Sequence, residues 1–408
     1  MGEARPEAGR DGADMTQDGF ARGECVSAEE TRRRFRARMP VADRYAYFDH
    51  AAVAPLPQPV GDAIRLWCEE ATAYGDLRWP RWAEEVELLR NEAAAMVNAA
   101  PEEIALVRNT SHGIGIVAEG FPWKEGDNVV FPADEFPSNQ YPWLALARWG
   151  VEARRVPLRD GRLELADLEA ACDRRTRIVA VSWVSYWSGR RWDPAELAAF
   201  AHRKGALLFL DAIQGLGVFP LDVHAAEIDF FAADGHKWLL GPEGAGLFYC
   251  RRDHLDRLNP IGVGWNSVVH AMRFDHIEPN WKPSAARFEG GSQNMAGMIG
   301  LRAAVGLLRQ LGIAAIADAV LRFTDHACER LRQLGAEIVS DRRARTASGI
   351  VTFTLPGAHP DDVRRRCSAA GVVLSCRAGR LRISPHAYND ESDLDRLIAV
   401  LRECRRGA

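Results

Sequence analysis

The sequence of 408 residues lacks a CxxC pair and any apolar run long enough to cross a membrane. Its eight cysteines are scattered without metal-ligand spacing, which predicts reduced thiols, no metal site and a cytoplasmic location. A spanning helix would need roughly 20 consecutive apolar residues. The net charge of −4 provides no general attraction for nucleic acid or an anionic membrane surface. Neither kind of partner is expected.

Patterning divides the chain into three parts. Residues 1–26 are rich in Gly, Asp, Glu and Arg and lack an apolar signal core, which predicts a disordered leader. Residues 27–300 alternate continuous apolar strands with helices, which predicts an α/β domain with a mostly parallel sheet covered on both faces. Residues 301–408 predict a small α+β domain. Sheets of this kind bind ligands beyond the carboxyl ends of their strands.

Lys237 is the residue around which the candidate chemistry is arranged. It follows His236, between an apolar strand over residues 228–234 and a glycine-rich turn over residues 241–246. Burial would lower the pKa of the lysine, and a neutral amine can form a Schiff base with an aldehyde cofactor. The alternative is an ordinary surface lysine between a strand and a turn. The segment alone does not decide between the two.

Asp211 ends another very apolar strand, 207–210. An ionised carboxylate in such a place needs a cationic partner. A protonated pyridine nitrogen would be one, and an aspartate beside it would keep the ring an electron sink. The alternative is that Asp211 caps the turn that follows.

Two further positions suit anionic groups. Asn109, Thr110 and Ser111 begin a predicted helix, where free N–H groups, hydroxyls and the positive helix end favour a phosphate. Arg382 lies within an apolar strand of the small domain and needs a carboxylate, such as that of an amino acid. The alternatives are an ordinary helix N-cap and an internal salt bridge.

In this order along the chain, these features resemble the class V aminotransferase family. The closest matches are Asp211-Ala212-Ile213-Gln214 and the segment from Gly235 to Gly244. The resemblance implies the type I fold of pyridoxal 5′-phosphate (PLP) enzymes, with a seven-stranded type of sheet. It also implies an N-terminal segment that contacts the small domain.

The resemblance implies specific cofactor contacts. Lys237 would bind PLP as a Schiff base and move protons, with His236 beside it. Asp211 would pair with the pyridinium nitrogen, and Gln214 would approach the ring's phenolic oxygen. Three side chains would hold the phosphate: Thr110, Ser111 and His236.

Other matched positions concern the substrate and a second subunit. Phe136 would stack on the cofactor where desulfurases place a histidine. Arg382 would bind the carboxylate of an amino-acid substrate, and Ala52 and Tyr186 would border that substrate. Ser292 resembles the residue that reaches a neighbouring subunit's phosphate, which implies a homodimer.

The sequence also departs from the family pattern. Asp234 stands where relatives often have a phosphate-binding serine, and a carboxylate would repel phosphate, so we expect Asp234 to orient His236 instead. Desulfurases carry a cysteine on an extended loop before the equivalent of Arg382, but the segment from Ser375 to Leu381 leaves no room for one. Cys376 is therefore expected to be a small residue at a strand end.

These departures make the chain more similar to one subgroup of the family than to the desulfurases. Aromatic residues near the expected site predict an apolar-walled pocket: Trp183, Tyr186, Trp187 and Trp265. The expected activity is an epimerase or aminotransferase most like isopenicillin N epimerase-type proteins. The alternative is a β-eliminating C–S or C–Se lyase without a catalytic cysteine. A PLP-binding protein without turnover is a third, less favoured hypothesis.

Overall fold

The structure is a computed structural model that describes residues 28–159 and 162–406. The predicted leader and Cys25 therefore lie outside the described residues. The helices are α1 Ala28–Arg36, α2 Gln58–Tyr74, α3 Trp79–Val97, α4 Thr110–Gly120, α5 Tyr141–Leu144, α6 Leu165–Ala171, α7 Pro194–Arg203, α8 Met295–Leu311, α9 Ile313–Gln333, α10 Pro360–Ala369 and α11 Glu391–Arg406. The strands are β1 Ala46–Tyr47, β2 Ile104–Val107, β3 Asn128–Pro132, β4 Glu152–Val156, β5 Thr176–Ser182, β6 Leu207–Asp211, β7 Phe230–Asp234, β8 Gly246–Cys250, β9 Glu337–Ile338, β10 Val351–Thr354, β11 Val372–Val373, β12 Ser375–Arg377 and β13 Arg380–Ile383.

The large domain is built on a seven-stranded sheet in the order β2-β8-β7-β6-β5-β3-β4. Only β8 runs antiparallel to its neighbours, β2 and β7, so the predicted mostly parallel sheet is confirmed. The strands β2, β3, β7 and β8 are buried along their whole length, because separate apolar clusters cover the two faces of the sheet. This burial on both faces explains why the strands read as continuous apolar runs.

The small domain contains the antiparallel sheet β12-β13-β10-β9. The N-terminal strand β1 pairs with β11 in parallel, Ala46 beside Val372 and Tyr47 beside Val373, so the chain contacts the small domain before it enters the large one. The domain boundary predicted at residue 300 falls inside α8, which packs on α2 and α3. Helix α8 therefore belongs to the large domain for much of its length.

No single helix within residues 28–159 and 162–406 is both long and apolar enough to cross a membrane. Helices α8 and α9 pass that length and composition test only as a pair, across a bend of 79°.

Candidate active site

The predicted chemical residues converge at one edge of the large sheet. Asp211 ends β6, and Lys237 follows the end of β7, the neighbouring parallel strand. Thr110 begins α4, which follows β2. The side chains line a cavity of about 290 Å³ together with residues of the small domain and the N-terminal segment: Ala51, Ala52, Val53, Asn109, Thr110, Ser111, Phe136, Ser138, Tyr186, Asp211, Ile213, Gln214, Asp234, His236, Lys237, Arg377 and Arg382. Residues far apart in sequence thus form one site.

A tight turn fixes Lys237 at the strand end. The amide of Leu240 donates to the Lys237 carbonyl at 3.0 Å, and the amide of Gly241 donates to the Gly235 carbonyl at 2.8 Å. Leu240 has a φ of 59°, in the left-handed region that costs energy for a branched side chain. Gly235 has no space for a side chain, since a Cβ would lie 2.7 Å from the Ala245 carbonyl oxygen.

Lys237 is buried, with 7% of its surface exposed. Burial lowers the pKa of its amine to about 8, while the nearby Asp211 carboxyl opposes the shift. The described residues provide Lys237 with no salt-bridge partner, and its Nζ lies 5.3 Å from the centroid of the Phe136 ring. About one tenth of this amine is therefore neutral at pH 7, far more than for an ordinary lysine, and nucleophilic attack on an aldehyde requires the neutral form.

Asp211 is enclosed at the floor of the cavity. Burial raises the pKa of its carboxyl to about 6, and the Ile213 amide, Lys237 and the Ser182 hydroxyl act in the opposite direction. The Ile213 N–H donates to Asp211 Oδ1 at 3.2 Å. At neutral pH the group is thus a buried anion that lacks a bonded cation among the described residues.

The polar end of the cavity lies at the start of α4. Asn109 is the N-cap predicted from the sequence, because its Oδ1 accepts the His112 N–H at 2.8 Å. Thr110 Oγ1 accepts the Asp234 amide at 3.0 Å, and the Ser111 and Ser138 hydroxyls are 2.8 Å apart. Ser138 was not predicted from the sequence, and no motif identified it.

Asp234 and His236 face each other at this end of the cavity. His236 Nδ1 is 3.0 Å from Asp234 Oδ2, but the angle is poor for a hydrogen bond and both Nδ1 and Asp234 Oδ1 are buried without a hydrogen-bond partner in the described chain. The two side chains are therefore close but are not hydrogen-bonded to each other. The role of Asp234 in orienting His236 therefore stays a prediction.

Aromatic residues close one side of the cavity. Phe136 and Tyr186 are in edge contact, with ring centroids 5.3 Å apart. Tyr186 also lines a neighbouring cavity of about 650 Å³ between the large and small domains, and Trp187 lines that larger one. Within the single chain, Trp183 packs in the core near Gly215 and Trp265 is exposed, and neither lines one of the two cavities, so their place beside the substrate stays a prediction.

Arg382 reaches the cavity, but the structure also shows the internal salt bridge that the sequence left as its alternative. Its Nη2 donates to Asp49 Oδ1 at 3.0 Å, and its Nε donates to Ser375 Oγ at 3.1 Å. Its Nη1 donates to the Tyr186 carbonyl at 2.5 Å. Since a guanidinium has five N–H donors, two remain for a substrate carboxylate.

Gln214 is held by two contacts of its own. Its Nε2 donates to the Ala51 carbonyl at 3.0 Å, and its Oε1 accepts the Trp238 indole N–H at 2.8 Å. The side chain lines the cavity while it ties the N-terminal segment to the residue after Lys237. One N–H of Nε2 and one lone pair of Oε1 are therefore used by the chain, and the second N–H remains for the ring oxygen that it was expected to approach.

Two of the highlighted side chains do not line the cavity. Ser292 is exposed on the single chain, outside the cavity lining. Cys376 Sγ lies 3.3 Å from the Pro360 carbonyl and packs with the small-domain core. None of the seven described cysteines lines the cavity. No group of three or more His, Cys, Asp or Glu in the described ranges could hold a metal ion.

Sequence reasoning missed Arg377 and Glu135. Arg377, the last residue of β12, is a second arginine in the cavity lining beside Arg382. Glu135 is buried under the site, where its Oε1 accepts the Ser182 amide at 2.6 Å and its Oε2 contacts the Ser182 hydroxyl. Burial raises the pKa of Glu135 to about 8. The only hint of Glu135 in the sequence was that this acidic residue directly precedes Phe136, which was expected to contact the cofactor.

The described residues fit PLP. Lys237 supplies a partly neutral amine, and the unpaired Asp211 carboxyl suits a pyridinium nitrogen. The start of α4 supplies hydroxyls and backbone N–H groups for a phosphate. The buried His236 Nδ1 without a hydrogen-bond partner shows that this polar end is incompletely satisfied by the chain itself.

Comparison with known proteins agrees with this chemistry. The model of the family described as "Aminotransferase class-V" matches residues 46–397. A probable cysteine desulfurase of Methanothermobacter thermautotrophicus is 32% identical over 394 residues, which covers 90% of this chain and 96% of the relative.

Solved structures give the same fold. The apo structure of a cysteine desulfurase from Thermococcus onnurineus has a TM-score of 0.83 at 26% identity and covers 92% of this chain and 98% of that one. A cystine C–S lyase has a TM-score of 0.84 at 24% identity, with coverages of 90% and 99%, and this likeness bears on the fold alone. The chain belongs to the class V aminotransferase family and is a PLP-dependent enzyme.

Proposed function

We propose that the enzyme is a β-eliminating lyase that cleaves the C–S or C–Se bond of cysteine-type amino acids. An S-substituted cysteine and one water would give a free thiol, pyruvate and ammonium. The named desulfurase relatives, 30–32% identical over most of the chain, support chemistry at a cysteine-type substrate. They favour this alternative over the epimerase or aminotransferase that the sequence analysis preferred.

The observation that carries the proposal is the cavity's lack of a thiol in the described chain. Strands β12 and β13 are joined by the two-residue turn Ala378-Gly379, so there is no loop to bring a cysteine to the substrate. Cys376 is turned to the Pro360 carbonyl. Without a thiol to receive sulfur as a persulfide, the substituent at Cβ is expected to leave as a free thiol or selenol.

The chain's own residues can perform the proton transfers of an elimination. PLP, when bound, supplies the electron sink that stabilises negative charge at Cα. Lys237, with a pKa of about 8, can remove the Cα proton and return it elsewhere. Asp211 keeps the ring nitrogen protonated through its negative charge.

Two arginines can orient the substrate. Arg382 retains two N–H donors for a carboxylate, and its bonds to Asp49 and the Tyr186 carbonyl hold the guanidinium in one place. Arg377 adds positive charge to the same cavity. Phe136 covers the Lys237 amine and reduces its contact with water.

Product analysis tests the proposal. The PLP-loaded protein should convert cystine, S-substituted cysteines or selenocysteine into pyruvate and ammonium. Cysteine persulfide, a free thiol or hydrogen selenide, respectively, should be released in equal amount. Alanine with protein-bound persulfide would instead identify a desulfurase. Deuterium incorporation at Cα without pyruvate would identify epimerisation, and a new amino acid formed from a keto acid would identify transamination.

Cys376→Ser provides a matched control. Because the Cys376 sulfur faces the small-domain core, the variant should keep full pyruvate formation. Loss of activity in a variant that remains folded would contradict a thiol-independent elimination.

We also propose that the enzyme is a homodimer, with Ser292 of one subunit near the phosphate end of the other site. Supporting this, residues 263–281 expose several large apolar side chains: Val263, Trp265, Val269, Met272, Phe274 and Ile277. Contiguous exposed apolar surface is typical of an interaction site. Light scattering should give twice the chain mass of 45.2 kDa, and Phe274→Glu with Ile277→Glu should give the monomer. A wild-type monomer would refute the proposal.

A further inference from the structure

Glu135 and Ser182 form a buried polar pair directly behind Asp211. Ser182 ends β5 and lies beside Asp211, its register partner at the end of β6. The Ser182 amide donates to Glu135 Oε1 at 2.6 Å, and the Ser182 hydroxyl contacts Glu135 Oε2. The same hydroxyl faces Asp211 from the neighbouring strand and lowers the pKa of its carboxyl. Ser182 therefore stands between two carboxyl groups.

The pair also separates the two cavities. Asp211 lines the smaller one, whereas Ser182 and Glu135 line the larger one. Glu135 is 6% exposed and Ser182 is 8% exposed, so both are shielded from bulk water. The Glu135 carboxyl does not contribute to an apolar core, and neither the proton transfers by Lys237 nor the binding of the substrate carboxylate requires it.

The charges around the pair are predominantly negative. Asp134 and Asp211 both raise the pKa of Glu135, in addition to its burial. Lys237 acts on Asp211, and Arg190 and the Trp187 indole N–H act on Asp134. Glu135 itself has no salt-bridge cation among the described residues. Two adjacent buried carboxylates repel, so one of them tends to keep its proton.

We propose that Glu135 is a positioning residue whose neutral carboxylic acid donates to Ser182 Oγ, so that the Ser182 hydroxyl donates in turn to Asp211. This chain of donors would hold Asp211 as the anion that faces the ring nitrogen of PLP. If Glu135 is ionised, the Ser182 proton turns to Glu135 and Asp211 loses a donor. The inference rests on the cofactor and not on the elimination reaction.

The burial of Glu135 agrees with this direction of donation. Burial raises the pKa of Glu135 to about 8, so the group is mostly protonated at neutral pH. The pKa of Asp211 is raised only to about 6, so Asp211 is mostly ionised there. Adjacent carboxyl groups with separated pKa values take different roles, one as a donor and one as an anion.

Two cofactor forms can isolate the contact with the ring nitrogen. The probes are PLP and its deaza analogue, in which C–H replaces the ring nitrogen. Both carry the same aldehyde and phosphate, so the ratio of their dissociation constants reports the Asp211 contact and cancels the titration of Lys237. The measurement is a binding titration that involves no substrate, so its result is independent of the proposed reaction.

Four variants give the expected pattern. Asp211→Asn sets the ratio that remains when the anion is absent. Ser182→Ala and Glu135→Ala should each lower the preference for PLP by about tenfold, the effect of losing one hydrogen bond to a charged group. Glu135→Gln should keep the wild-type preference, because its amide can donate to Ser182 Oγ and accept the Ser182 N–H. Ser182→Ala removes only one hydroxyl and is the milder change. It therefore provides the test if Glu135→Ala does not fold.

The dependence on pH provides the decisive comparison. Between about pH 6 and pH 9.5 the preference for PLP should fall more steeply in the wild type than in Glu135→Gln, which does not titrate. Parallel curves for the two proteins would overturn the proposal. So would a Glu135→Gln variant that behaves like Glu135→Ala, or a Ser182→Ala variant with the wild-type ratio.

Discussion

Two groups of buried charges in the large domain contrast with each other. Arg90 on α3 donates to both Glu289 oxygens, at 2.5 and 3.1 Å, and to the Ile104 carbonyl at 2.8 Å. Glu289 also accepts the Leu106 amide at 2.8 Å. In the cavity, by contrast, Lys237 is equally buried but has no such partner in the described chain.

The difference separates structural from functional charges. A buried ion pair with good geometry and further hydrogen bonds offsets much of its desolvation cost, and it fixes the segment that leads to Ser292. A buried amine without a partner remains costly, and its pKa shifts instead. Burial of a charge is thus a poor guide to function unless its hydrogen bonds are counted.

The largest expected effect is that of Lys237→Ala. Removing the amine should lower turnover by about 10³-fold, since one positioned acid–base group contributes roughly that much. The cofactor-free protein should remain folded, because no hydrogen bond is lost. After borohydride treatment with PLP, peptide mass mapping should find the cofactor at Lys237 in the wild type and not at the other three lysines, Lys124, Lys204 and Lys282. Unchanged covalent attachment in the variant would refute the assignment.

Arg90→Ala should mainly lower the stability of the protein, whereas Lys237→Ala should mainly lower its turnover. It leaves Glu289 buried and unpaired, which should lower the free energy of unfolding by about 3–5 kcal/mol. Urea unfolding of the cofactor-free protein measures this. The double variant Arg90→Met, Glu289→Gln is the control and should recover part of the loss. A single variant as stable as the wild type would show that the pair is not a structural anchor.

Asp211→Asn should stabilise the cofactor-free protein as it weakens the site. The folded pKa is about 6 against about 3.9 for an unfolded aspartate, so the folded protein binds more protons between these values. Stability is therefore lost as pH rises through this window. The variant should be more stable than the wild type by about 1–3 kcal/mol above pH 6, with no difference below about pH 4. A difference that does not depend on pH would contradict this account.

The two arginines of the cavity provide the smallest and most selective test. Arg382→Ala should raise KM for the amino-acid substrate at least about tenfold, because it removes charge-assisted hydrogen bonds to the carboxylate. Arg377→Ala removes charge without that fixed geometry and should raise KM less. Initial rates over a range of substrate concentrations measure both variants. The reverse order would assign the carboxylate to Arg377.

The sequence was sufficient for the sheet and for much of the site. Continuous apolar runs can be satisfied only by strands buried on both faces, and Asp211 and Lys237 stand out because they follow such runs. The thiol site could be excluded in the same way, since too few residues separate Cys376 from Arg382 for a loop. Ser138 and Arg377 carried no local pattern, because their place in the cavity depends on how other segments fold.

The contrast between Arg90 and Lys237 shows what the sequence determines and what only the tertiary structure determines. Sequence by itself determined which strands form the core, where they end and which polar residues follow them, because these depend on local periodicity. Only the tertiary structure decided which charges are paired. It joined Arg382 to Asp49 and placed Glu135 behind Asp211 through Ser182, across separations that no local pattern records. Hydrogen bonding and desolvation depend on distances in space, so the pKa values and roles of these groups follow from the fold.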